Sequence, residues 1–156
     1  MGLLIWLENT AYAQWILTGL TGWPLVLSMH AIGLAVAVGM IFAMNLRILG
    51  LYRTIPMSTV HKLLSFAWIG IGLNIFSGFS LFMTQASYYV TSGSFLVKIS
   101  AIIAGIVLLV FTQKSLDSEV GSVDSNGVSA KTRNLAIASL ALWTLAVVTG
   151  RLIAYL

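Results

Sequence analysis

Three residues of this chain can do chemistry from within an otherwise apolar sequence: His30, Lys98 and Arg151. Each sits inside a long hydrophobic stretch, where an ionisable side chain costs a few kcal/mol or more and marks a functional site by default. A histidine offers a proton-accepting or metal-ligating nitrogen, and two cations offer anchors for carboxylates or phosphates. A site for something anionic, metallic or both is therefore expected. A fourth stretch of small and polar residues, Asn74, Ser77, Gly78 and Ser80, interrupts a run of Leu, Ile and Phe and is expected to line the same cavity.

The elements that must position these residues follow from composition. Of 156 residues, 59% are apolar and 8% charged, and mean hydropathy is +1.00. A soluble domain carries about a quarter charged residues, so the chain reads as an all-α integral membrane protein. Four stretches reach the roughly 20 residues needed to cross a bilayer as helix: Pro24 to Gly50, Leu63 to Met83, Phe95 to Phe111, and Leu135 to Tyr155. Residues 1–23 place Tyr12, Trp15, Ile16, Leu20 and Trp23 at helical spacing, which predicts an interfacial amphipathic helix with Pro24 opening the first span. Residues 24–156 are then a four-helix transmembrane bundle, with 113–134 expected as a flexible polar loop. Pairs of small residues four apart, Gly33 and Ala37, Gly39 and Ala43, Ala101 and Gly105, Ala146 and Gly150, predict close helix contacts, with a homo-oligomer face as the alternative use.

Charge gives orientation. Arg47, Arg53 and Lys62 follow the first span, and Lys114, Lys131 and Arg133 follow the third, while the N-terminal segment and the turn 84–94 hold no Lys or Arg. The positive-inside rule then puts both basic connections in the cytoplasm and both termini on the periplasmic side of a bacterial inner membrane. The net charge of +4 is spread over helix ends, so it speaks for the bilayer as partner and against nucleic acid. The N-terminus lacks the pattern of a cleaved signal peptide and is expected to be retained. With no cysteine, any metal must be held by His, Met, carboxylate or backbone groups.

At 1.5 Å per residue, His30 falls about 10 Å below the outer end of the first helix, and Lys98 and Arg151 fall about one turn inside the outer ends of theirs. Haem b fits that arrangement, with His30 as axial ligand, Lys98 and Arg151 on the propionates, and Asn74, Ser77 and Gly78 giving the ring room. His61 is about 30 Å away along the membrane normal. A sixth ligand is therefore Met83, the His30 of a second copy, or none. Alternatives stay open. His30 could serve a quinone or a proton, or bond a neighbouring helix. Lys98 and Arg151 could snorkel to headgroups or hold a lipid phosphate. Met40 and Met44 share a face but read as packing, and His61 as an interfacial residue.

The segments "WPLVLSMHAIGLAVAVGMIFAMNLRILG", "FAWIGIGLNIFSGFSLF", "FLVKISAI" and "TGRLIAY" resemble a family of small bacterial four-helix inner-membrane proteins of unassigned function. The resemblance rests on His30, on Arg47 with Gly50, on Lys98, and on Gly150 with Arg151. More distantly the chain is similar to the membrane domain of copper-resistance proteins of the CopD kind, which implies a link to copper or periplasmic redox chemistry. It departs from the pattern at Leu27 and Asn45, where acidic residues are common, and that weighs against proton relay and cation transport.

Three functions follow as expectations. One is a haem b protein passing electrons to a periplasmic redox partner. Another is copper handling through His30 and Met83, which the two nearby cations disfavour by repulsion. The third is a cofactor-free accessory subunit of a larger membrane complex. A redox or accessory role is favoured over a stand-alone enzyme, since Glu8 is the only carboxylate outside the loop.

Overall fold

The computed structural model describes residues 2–52, 54–119, 128–153 and 155, with the side chains of 57, 58 and 61 also outside the described set. The expectations for His61 and for residues 120–127 of the loop therefore lie outside the described residues. Two short helices, α1 (Gly2–Glu8) and α2 (Ala11–Thr18), precede the long helices α3 (Gly22–Ile48) and α4 (Met57–Thr84). The single turn α5 (Ala86–Tyr89) leads to α6 (Gly93–Glu119) and α7 (Ala130–Leu152). No strand occurs among the described residues.

Four helices are long and apolar enough to cross a membrane, and at 1.5 Å per residue they reach roughly 35–42 Å. Their outward faces carry large apolar side chains: Ile32 is 59% exposed, Ile69 66% and Ile103 59%. Patches of this kind need an apolar solvent, and lipid supplies it. The chain is a multi-pass membrane protein built as a four-helix bundle.

The helices outrun the hydropathy windows. α6 continues eight residues past Phe111, and α7 starts five before Leu135, so much of the segment expected as flexible loop is helix. The reason is local hydrogen bonding. Ser129 caps α7 by accepting from Thr132 N at 3.3 Å, and Thr132 Oγ1 donates to Glu119 Oε1 at 2.8 Å. Glu119 also accepts from the Ser129 backbone at 3.2 Å. Buried Thr132 and Ser115 bond each other across the two helices. Polar residues thus knit the α6–α7 end together beyond the apolar window.

At the other basic connection α3 ends in a Schellman motif. Leu51 N donates to Leu46 O at 3.0 Å and Gly50 N to Arg47 O at 3.1 Å. Gly50 takes φ 93°, a left-handed conformation that glycine adopts without steric cost. Arg47 Nε then donates to Ile55 O at 2.6 Å, tying down the connection it opens.

The helices associate as two antiparallel pairs, α3 with α4 and α6 with α7, joined chiefly where α3 meets α7. The α3–α4 crossing is set by glycine: a Cβ on Gly70 would stand 2.5 Å from Ala37 N, and one on Gly33 would stand 3.0 Å from Asn74 N. Gly39, also expected at a contact, meets nothing within 4 Å. Its spacing alone carried no information about which way it faced.

The hydrophobic core occupies one half of the bundle. Ile41, Met44, Leu64, Ala67, Leu109 and Ala136 pack together toward the basic connections. Met44 is fully buried there and Met40 packs against the cluster, so both serve packing. A polar link between α3 and α7 crosses this half, Asn45 Nδ2 donating to Ser139 Oγ at 3.0 Å, with Asn45 Oδ1 left without a partner among the described residues.

The N-terminal segment is two helices rather than the single one expected. Thr10 ends the first by turning and caps the second, accepting from Ala13 N at 3.3 Å. Ala13 and Ile16 are fully buried, because α2 packs on α3 and α4 as well as facing outward. Tyr12 Oη bonds Ser80 Oγ at 3.0 Å, and Glu8 Oε1 accepts from Ser87 N at 2.7 Å. Both contacts bind the segment to the end of the bundle that also carries Arg151.

Candidate functional site

The opposite half of the bundle, nearest the termini, is hollow, and His30 stands in its wall. Residues 74, 77 and 78 lie three and four apart on α4, so they share one helix face, and that face meets α3 at His30. Asn74 Nδ2 donates to the His30 carbonyl at 2.9 Å, fixing the backbone. His30 Nδ1 lies 3.0 Å from Ser77 Oγ, and the Ser77 hydroxyl is also within reach of the Leu73 carbonyl at 2.8 Å and the Asn74 carbonyl at 3.3 Å. In the tautomer whose Nδ1–H donates to Ser77, Nε2 carries the lone pair. Gly78 lets the ring lie close, since a Cβ there would come within 3.2 Å of His30 Cε1.

Lys98 approaches from α6. Its aliphatic chain lies on α7 at Gly150, where a Cβ would stand 3.4 to 3.5 Å from Lys98 Cδ, Cε and Nζ. The absence of a side chain at Gly150 thus seats the lysine, directing a partly buried ammonium into the hollow half.

Two adjoining chambers of about 400 and 670 Å³ occupy this half, in the range of roughly 300–1,000 Å³ common for small-molecule and cofactor sites. They share His30, Leu34, Gly78, Phe82, Phe95 and Lys98. The outer one is rimmed by Trp23, Gln85, Tyr88 and Arg151. The inner one ends on Ala37, Ile71 and Trp143. Phe82 and Phe95 stack at 5.6 Å with their planes 16° apart, and Tyr89 packs on both. Burial, reinforced by neighbouring Tyr88, holds the Tyr89 phenol above its ordinary value, so it stays un-ionised.

The structure thus brings His30, Asn74, Gly78 and Lys98 to one cavity wall, places Ser77 directly behind His30, and puts exposed Arg151 on the outer rim. Met83 lines neither chamber. Ser80, grouped with the patch by sequence, is taken up by Tyr12. Among the described residues no group of three or more His, Cys, Asp or Glu side chains is placed to hold a metal ion. Three residues that sequence reasoning passed over shape the cavity, Phe82, Phe95 and Trp143, and Gly150, expected at a helix contact, seats Lys98. Aromatic residues are ordinary in membrane helices and gave no signal. Trp143 is the informative one, because its Nε1 is buried without a hydrogen-bond partner, a state that costs about 1–3 kcal/mol.

No known protein family, curated protein or solved structure matches this chain, so the site is read from its own residues.

Proposed function

We propose that the chain binds haem b in the hollow half of its bundle and carries electrons near the periplasmic face of a bacterial inner membrane. The observation that supports this most is His30 on the wall of a chamber lined by aromatic and aliphatic side chains, with its Nδ1 3.0 Å from Ser77 Oγ. Haem ligation by histidine uses this arrangement, in which a hydrogen bond at one ring nitrogen orients the other and raises its basicity.

His30 would be the axial ligand, and Lys98 and Arg151 would pair with the propionates toward the outer end. Haem bound there supplies a one-electron ferric/ferrous couple. The phenylalanines exclude water, and Gly78 keeps the His30 ring from being displaced. A porphyrin brings four of its own nitrogens to iron and asks one axial ligand of the protein. A bare copper ion would have His30 alone, beside an ammonium that repels it. The positive-inside distribution of Lys and Arg supports the orientation.

The test is an absorption spectrum of detergent-purified protein, oxidised and dithionite-reduced, with pyridine haemochrome quantification. A b-type spectrum near one haem per chain, lost in His30→Ala while helicity by circular dichroism is kept, is the expected result. A folded protein without Soret absorbance after haem supply would overturn the proposal and leave the accessory-subunit role.

A further inference from the structure

The haem reading concerns what the cavity holds and says nothing of what keeps its outer wall in place. That wall includes α5, whose Tyr88 and Tyr89 line the outer chamber together with Gln85 just before it. A single helical turn makes too few internal bonds to hold itself in position, so a neighbour has to hold it. The element α5 packs on most is α1.

α1 does not hold α5 by burying apolar surface. None of its residues is buried, and Leu3 and Trp6 are 70% and 63% exposed. It holds by a polar bond instead: Glu8 Oε1 accepts from Ser87 N, on α5, at 2.7 Å. A carboxylate acceptor makes such a bond stronger than one between neutral groups. Glu8 is itself fixed from behind, because Gln14 Nε2 donates to its carbonyl at 2.9 Å. Gln14 belongs to α2, which is anchored by buried Ala13 and Ile16 and by the Tyr12–Ser80 bond. On the far side of α5 the contacts run on into the cavity. Tyr89 packs on Phe82 at 6.3 Å and on Phe95 at 5.3 Å, and both phenylalanines line both chambers. A line of contacts thus joins α2 to the chamber wall through the one carboxylate that the sequence places outside residues 113–134.

We propose that Glu8 is a positioning residue of the cavity: its carboxylate holds α5 in place so that Tyr88 and Tyr89 wall the outer chamber, and its loss opens the chamber on that side. The proposal goes beyond the haem reading and does not depend on what the chamber binds.

The chain has no cysteine, so a single introduced thiol reports on one place. Ala146 is 5% exposed and lines both chambers, whereas Ala136 is fully buried in the solid half. Ala146→Cys and Ala136→Cys are made separately in the full chain, each with Glu8, Glu8→Ala or Glu8→Gln, and placed in phospholipid nanodiscs. Two rates are measured at matched haem content: labelling by a charged methanethiosulfonate, and amide hydrogen exchange over residues 86–90. Glu8→Ala should raise both the exchange and the labelling at position 146 about tenfold, as one lost hydrogen bond of ~1.4 kcal/mol implies. Glu8→Gln keeps an acceptor oxygen and should stay within about threefold of the parent. The thiol at position 136 should remain unreactive throughout.

Unchanged exchange in Glu8→Ala, or faster exchange without faster labelling at position 146, would overturn the proposal. So would labelling that rises equally at position 136, which reports general loosening, or a Glu8→Gln chain as open as Glu8→Ala. Both rates are read on the chain itself, so a protein that takes up no haem would sink the haem proposal and leave this one standing.

Discussion

At the scale of single residues, the site depends on one hydrogen bond, between His30 Nδ1 and Ser77 Oγ at 3.0 Å. Removing it frees the ring to rotate and to exchange tautomers. Ser77→Ala is expected to keep the fold and to lower haem affinity by about 10–100-fold, the usual range for such supporting groups. Titration of apoprotein with haem followed at the Soret band measures this, and an unchanged affinity would show that the hydrogen bond does not support ligation. The sequence made His30, Lys98 and Arg151 visible because charge is rare in apolar stretches. It could not make Trp143 visible, since its role depends on which neighbour lies across from it, and it marked Gly150 as a contact position without showing that Lys98 lies there. For Met83, its place near the end of its span was legible, but the direction of its side chain was not.

Among the elements, the α3–α4 crossing is the least tolerant joint. A Cβ on Gly70 would come within 2.5 Å of a backbone nitrogen on α3, and backbone cannot rotate away as a side chain can. Gly70→Val is expected to destabilise the bundle by about 1–3 kcal/mol or more through overpacking, seen as a lower unfolding temperature in detergent. A melting point equal to wild type would mean that the helices part without cost.

The Asn45–Ser139 link tests a different idea. Ser139→Ala alone leaves both polar groups of buried Asn45 unpaired and should cost about 1–3 kcal/mol. Combining it with Asn45→Leu removes the unpaired groups and should recover most of that loss in the same melting assay. Helix number and order were legible because the hydropathy windows are long. Helix ends were not: α6 runs on to Glu119 through residues that lipid would reject but that α7 accepts as hydrogen-bond partners. Hydropathy reports what a bilayer tolerates, and helix length also reports what a neighbouring helix tolerates.

For the whole molecule, the proposed orientation rests on six basic residues at two connections, Arg47, Arg53, Lys62, Lys114, Lys131 and Arg133. Alkaline phosphatase fused to the C-terminus is expected to be active and green fluorescent protein fused there to be dark, in bacterial cells. The opposite pair of results would turn the bundle over and place the proposed site at the cytoplasmic face.

The division of the bundle into a solid half and a hollow half has a mechanical consequence. Ile41, Met44, Leu64 and Leu109 join the two hairpins at one end, while at the other end Lys98, Phe82 and Phe95 face open space. Such an object behaves as tongs with a stiff pivot and tips that touch through the Phe82–Phe95 stack. Small angular play at the pivot is multiplied along roughly 20 Å of lever in each arm, which favours admission and gripping of a bulky guest at the tips over rearrangement of the joint.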